Sequence, residues 1–97
     1  MAKHWIVDIS EKLVETFRTV YREAREALEL NKKKAAEQSA LSPQTIGYVE
    51  EDERSPTFIS FLQLALGLGL RPSVLLARVE ERLGLDKLFA STPPRQT

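Results

Sequence analysis

The residue types that most often do chemistry in proteins are scarce in this chain. It contains one histidine, His4, and no cysteine, so neither a zinc site nor a nucleophile–base pair can be assembled from it. It also has no glycine-rich loop of the kind that cradles phosphates. We therefore expect a protein that is not an enzyme and that uses no metal and no cofactor.

The most concentrated positive charge is a run of three lysines, Lys32, Lys33 and Lys34, directly after Asn31. Asparagine is a favoured N-cap, so the run falls in the first turn of a predicted helix. A cation there is disfavoured by about 0.3–1 kcal/mol, and a bound phosphate would reverse the sign of that penalty. The position therefore predicts a phosphate contact for Lys32. For Lys33 and Lys34 a solvated charge run is an equal alternative.

Negative charge is concentrated further along the chain. Residues 37–53 contain five acidic residues and no basic one, whereas residues 18–34 contain six basic residues and three acidic ones. The formal net charge is zero, which is not typical of a polybasic nucleic-acid binder. Unpaired acids in the run Glu50–Glu53 would weaken binding to phosphate, and Arg54 could neutralise one of them.

The hydrophobic pattern predicts an all-α chain. Apolar residues at spacings of three and four form one stripe, and Asp8 with Glu11 resembles a capping box in front of it. This predicts a long first helix from about Ile9 or Ser10 to about Glu29. Cap, proline and glycine positions predict four shorter helices, over residues 32–39, 43–51, about 58–67 and about 72–84, with one further turn at 85–89. Thr57 is the candidate cap of the helix at 58–67. We expect one domain over residues 10–84, an N-terminal extension over 1–9 and a largely flexible C-terminal extension over 85–97.

The second and third predicted helices are separated by about three residues, and the later one opens with Ser42 and Pro43. Serine is favoured at the N-cap and proline at the first helical position. Two short helices at this separation are the geometry of a helix-turn-helix unit, whose second helix enters the DNA major groove.

The match extends beyond this geometry, to Arg22 through Ala36, Ala40-Leu41-Ser42, Ile46, Val49-Glu50, Arg54 through Thr57 and Leu64 through Leu68. On these residues the chain resembles, without a gap over residues 18–84, the Cro/repressor family of helix-turn-helix proteins, also called XRE or phage repressor-like. The resemblance implies a compact five-helix bundle of the lambda-repressor-like DNA-binding type. It also implies a transcriptional regulator that binds double-stranded DNA sequence-specifically.

The resemblance further implies roles for individual residues. Arg25 and Glu50 stand where the family pairs an arginine of the first helix with a glutamate that ends the third, which would fix the angle of the reading helix. Gln44, Thr45 and Tyr48 stand where base edges are read, and glutamine can bind adenine N6 and N7 together. The full predicted DNA-binding set is Asn31, Lys32, Lys33, Ser42, Gln44, Thr45, Tyr48 and Arg54.

Several positions depart from the family pattern. Lys32 stands where glutamine is usual, and Ala40 and Asp52 stand where glycine is frequent. Alanine at position 40 is tolerable only if the turn accepts a Cβ there. Gly47, inside the third helix, costs about 1 kcal/mol relative to alanine, and either a neutral surface position or a close backbone approach to DNA accounts for it.

As partners we expect double-stranded DNA and a second copy of the chain, with no membrane and no small-molecule ligand. Candidate dimer contacts are the apolar residues of the fifth helix, of Leu85–Phe89 and of His4–Val7. The chain shows neither a secretory signal nor a long apolar run, which predicts a cytoplasmic location. The alternative is a protein-interaction module on the same scaffold, such as an antitoxin or co-regulator, that uses the acidic run Glu50–Glu53.

Overall fold

Five helices make up the regular structure of the described part of the chain. The computed structural model describes the backbone of residues 2–51 and 55–85, and the side chains from residue 9 onward within those ranges. The helices are α1 (Ala2–Ala27), α2 (Lys32–Ser39), α3 (Pro43–Glu51), α4 (Phe58–Gly67) and α5 (Pro72–Leu83). The expected all-α, five-helix architecture is confirmed.

The first helix is longer than the sequence pattern predicts. It begins at Ala2, so the predicted start near Ile9 or Ser10 is wrong. An N-cap residue has a non-helical backbone, whereas Asp8 lies inside the helix and cannot act as one. The preceding residues include neither proline nor glycine, so nothing in their backbone chemistry stops the helix there. Residues 86–97, with most of the predicted turn at 85–89, lie outside the described residues.

The caps of the three middle helices agree with the sequence-based expectation. The side-chain oxygens of Asn31, Ser42 and Thr57 each accept a hydrogen bond from the backbone N–H three residues later, at 2.7, 3.1 and 3.0 Å respectively. Each bond satisfies one of the N–H groups that a helix start leaves without an intrahelical partner. The predicted starts of α2, α3 and α4 are therefore confirmed.

The hydrophobic core lies where α1, α3, α4 and α5 meet. Its fully buried side chains include Tyr21, Ile46, Leu64, Leu75 and Val79. Phe17 of α1 packs against Phe61 of α4 with ring centroids 5.6 Å apart. Because α3 contributes Ile46 and Val49 to this core, its orientation is set by packing along one whole side of the helix.

Small residues bring α2 close to α4. Ala35, Ala36 and Ser39 are the buried residues of α2, and Gly67 ends α4 beside them. A Cβ on Gly67 would lie 2.0 Å from the Ser39 Oγ, which is far inside van der Waals contact. Gly67 is therefore required for this close approach, and not only as a helix stop.

The turn between α2 and α3 contains a left-handed alanine. Ala40 has φ 57° and ψ 37°, and its N–H donates back to the carbonyls of Ala36 and Glu37. The Leu41 N–H also donates to the Ala36 carbonyl, at 2.9 Å. The turn accepts a Cβ at position 40, at the conformational cost that L-residues have in this region.

No single helix in the described ranges is both long and apolar enough to cross a membrane. The α4–α5 pair reaches that length and composition only with a bend of 102° between its two parts.

Candidate nucleic-acid interface

An ion pair between α1 and α3 anchors the helix that would read DNA. The Arg25 Nε lies 2.6 Å from the Glu50 Oε2, and the Arg25 Nη2 donates to the Glu50 Oε1 at 2.9 Å. The two side chains are only 9% and 1% exposed. The hydrogen bond to Glu50 raises the pKa of the Arg25 guanidinium above its ordinary value, so this cation stays charged at physiological pH.

The same guanidinium also holds the α1–α2 connection. Its Nη1 donates to the Leu30 carbonyl at 2.7 Å. One arginine thus links the end of α1, the loop before α2 and the end of α3. Bidentate pairing fixes orientation as well as distance, so the two helices of the helix-turn-helix unit are tied to α1 at one point.

A buried tyrosine, Tyr21, lies beside this pair. Tyr21 is fully buried. Burial raises the pKa of its hydroxyl to about 12, and the negative charge of Glu50 adds to the rise. The nearby Ser39 hydroxyl lowers this pKa in part. Neither hydroxyl forms a hydrogen bond of good geometry with another described group. Helical periodicity assigns Tyr21 to the core and carries no information about what its hydroxyl meets.

At the start of α2, the Asn31 side chain is occupied by its capping bond to the Lys34 N–H. That bond and the Asn31 carbonyl, which accepts from the Ala35 N–H at 2.9 Å, leave the N–H groups of Lys32 and Lys33 for an external acceptor. Lys33 is exposed, and the Lys34 Nζ lies 3.9 Å from the Glu37 Oε2. This end of α2 combines outward N–H groups with lysine charge, which suits a phosphate oxygen.

The Lys32 ammonium has a partner within the chain. Its Nζ lies 2.5 Å from the Glu51 Oε1, at the far end of α3. The hydrogen bond and the charge of Lys32 lower the pKa of the Glu51 carboxyl. The sequence pattern did not reveal this pair, because the two residues are 19 positions apart and no periodicity connects them.

The outward side of α3 carries the residues expected to read bases. Gln44 and Tyr48 are exposed one helical turn apart, and the Gln44 Nε2 donates to the Tyr48 hydroxyl at 2.7 Å. Thr45 is half-buried, with its hydroxyl 2.9 Å from that of Ser42. Gly47 lies on the same helix with open space around its Cβ position, so packing within the chain does not require glycine there.

Seven of the eight predicted DNA-binding residues lie among the described residues. Arg54 lies outside the described residues, as do Asp52 and Glu53. The other members lie at the two helix starts or along the outward side of α3. In the described residues no group of three or more histidine, aspartate or glutamate side chains is placed to hold a metal ion.

The two described members of the acidic run, Glu50 and Glu51, both have cationic partners within the chain. Glu50 is buried against Arg25, and Glu51 is paired with Lys32. Both described members of the run therefore have internal cationic partners, so they offer a basic protein partner less free charge than the sequence suggests.

Comparisons with known proteins agree with this geometry. The helix-turn-helix family model HTH_3 matches residues 22–75, which is more than half of the chain. The crystal structure of the clp gene regulator ClgR from Corynebacterium glutamicum superposes with a TM-score of 0.67 at 19% identity, over 84% of this chain and 96% of that one. No curated protein sequence matches the chain. The similarity to ClgR supports the fold, and the family match decides the classification: this chain belongs to the Cro/repressor-type helix-turn-helix family.

Proposed function

We propose that the protein is a sequence-specific DNA-binding transcription regulator that inserts α3 into the major groove. The observation that carries the proposal is the division of α3 into two sides. Ile46, Val49 and Glu50 are buried on one side, whereas Gln44 and Tyr48 are exposed on the other. A helix that is anchored on its inner side and polar on its outer side is what direct readout of base edges requires.

The start of α2 supplies the backbone contact in this proposal. The N–H groups of Lys32 and Lys33 and the exposed Lys33 side chain would bind one phosphate group, because the helix dipole favours an anion there. Such contacts set the register of the protein on the duplex without reading its sequence. Specificity is then left to α3.

Gln44 is the residue that we expect to select a base. Its amide nitrogen has two hydrogens, and one of them is donated to the Tyr48 hydroxyl at 2.7 Å. The second hydrogen and the amide oxygen remain free to bind adenine N7 and N6 together. Tyr48 therefore orients the amide before DNA arrives, which lowers the entropy lost on binding.

We propose that two copies act together on half-sites about one helical turn apart. Large apolar side chains are exposed on α4 and α5, including Phe58, Leu66, Val74 and Leu76. Clusters of exposed apolar side chains commonly mark association surfaces. The sequence suggested three dimer contacts, and α5 is the one with exposed apolar side chains among the described residues. These side chains are Val74 and Leu76.

Substitution of Gln44 tests the readout directly. In Gln44→Ala, discrimination at one base pair of the preferred duplex is expected to fall by about 1–3 kcal/mol, while binding to unrelated duplexes changes little. The measurement is fluorescence anisotropy against duplexes that vary one base pair at a time. Gln38→Ala is the matched control, because Gln38 is an exposed glutamine of α2. Equal discrimination in wild type and Gln44→Ala would contradict the assignment of Gln44.

A further inference from the structure

The pair between Lys32 and Glu51 joins the first residue of α2 to the last residue of α3. The Lys32 Nζ and the Glu51 Oε1 are 2.5 Å apart, and the two side chains are 40% and 67% exposed. The contact is thus at the surface, where a larger anion can reach the same ammonium group. It also lies within the helix-turn-helix unit, between the proposed phosphate site and the reading helix.

Glu51 places a carboxylate oxygen beside an ammonium that is suited to phosphate. Lysine at a helix N-terminus and glutamate at a helix C-terminus are each disfavoured by the helix dipoles, and each compensates the other through this contact. In the free protein the Glu51 carboxylate therefore neutralises the Lys32 ammonium, which the sequence pattern predicts to contact a DNA phosphate. A phosphate oxygen bound by Lys32 would be close enough to repel Glu51, or would displace it.

We propose that Glu51 is an intramolecular competitor for DNA phosphate, which must release or share Lys32 before Lys32 can contact the backbone. This inference rests on the proposed DNA-binding function and deepens it. The competition lowers affinity for every DNA sequence by a similar factor, because phosphate contacts carry no sequence information. The competition also reduces the dependence of affinity on salt. A lysine shared with a carboxylate neutralises less phosphate charge, so fewer of the cations condensed on the DNA are released on binding.

A double-mutant cycle isolates this competition from a general change of charge. Glu51→Gln in the wild-type background is expected to tighten binding about two- to fivefold, the range of an exposed ion pair, for both preferred and unrelated duplexes. The slope of log affinity against log salt is expected to become steeper by about one. In the Lys32→Gln background, Glu51→Gln is expected to change little.

Glu80→Gln is the matched control, because it removes one exposed acid from α5. Equal tightening by Glu80→Gln and Glu51→Gln, or equal effects of Glu51→Gln with and without Lys32, would overturn the inference while leaving DNA binding intact. Failure of both wild type and Glu51→Gln to bind any duplex at low salt would instead overturn the proposed function, and the inference with it.

A readout in the free protein tests the contact itself. A carbon-detected NMR titration of the Glu51 carboxyl is expected to give a pKa below the ordinary range in wild type and a rise toward it in Lys32→Gln. An unchanged carboxyl pKa in Lys32→Gln would contradict the contact without any DNA measurement. Circular dichroism establishes that each variant is folded.

Discussion

At the scale of single residues, the Arg25–Glu50 pair sets the geometry of the interface. Replacing Glu50 with glutamine removes the charge and leaves Arg25 buried without a counter-ion. We expect Glu50→Gln to lower the free energy of unfolding by about 3–5 kcal/mol, as measured by urea denaturation. Glu51→Gln removes the charge of an exposed neighbour on the same helix and is expected to leave the free energy of unfolding nearly unchanged. Equal losses in the two variants would contradict a buried, structural role for Glu50.

Tyr21 predicts a specific sensitivity to alkaline pH. Its folded pKa is about 12, above the ordinary value of 10.0, so the folded state holds the phenol proton more tightly than the unfolded state does. The resulting stability is fully present below about pH 10 and is lost as pH rises from about 10 through 12.

Tyr21→Phe removes this contribution. Urea denaturation between about pH 8 and about pH 11 is expected to show a fall in wild-type stability that is shallower in Tyr21→Phe. Other groups that titrate in the same range act on both proteins, so only the difference between them is informative. Parallel curves would contradict the buried placement of the Tyr21 hydroxyl.

Sequence reasoning reached some of these residue contacts and not others. The pairing of Arg25 with Glu50 was implied by the family resemblance, because it depends on a position that recurs in the fold. The contact of Lys32 with Glu51 was not, because it depends on the angle between two short helices. The neighbours of the Tyr21 hydroxyl likewise depend on how α1 and α2 meet, which periodicity does not specify.

At the scale of elements, the left-handed conformation of Ala40 predicts a stabilising substitution. Glycine adopts this conformation without the steric cost that a Cβ imposes. Ala40→Gly is therefore expected to raise the free energy of unfolding by up to about 1 kcal/mol, part of the gain being offset by the greater flexibility of glycine in the unfolded chain. The measurement is again urea denaturation.

Gly84→Ala is the opposite change at a second left-handed helix end, where φ is 74°. It is expected to destabilise the protein. A loss of stability in Ala40→Gly would contradict the conformation assigned to the turn between α2 and α3.

The helix boundaries show what local chemistry can and cannot specify. Asn31, Ser42 and Thr57 marked the starts of α2, α3 and α4 correctly, because a cap is a local hydrogen bond between residues three apart. The predicted start of α1 was wrong, because Asp8 and Glu11 have the residue types of a capping box although the backbone there remains helical. Residue types alone do not distinguish a cap from two acids on a helix surface.

At the scale of the whole molecule, exposed apolar surface predicts self-association. Leu76 is 45% exposed on α5, and we expect Leu76→Glu to weaken a dimer by placing a charge in its contact. Analytical ultracentrifugation over a range of concentrations measures this directly. Leu13→Glu, at an exposed leucine of α1, is the control outside α4 and α5. A purely monomeric wild type, or equal behaviour of Leu76→Glu and wild type, would contradict the α5 contact.

The central claim is that α3 reads DNA sequence, and selection from a random duplex pool followed by sequencing tests it most directly. We predict a palindromic consensus with half-sites about one helical turn apart, and the loss of one strongly preferred base pair from each half-site when Gln44→Ala is used for the selection. Failure to enrich any sequence, with no binding to random duplexes even at low salt, would contradict the account.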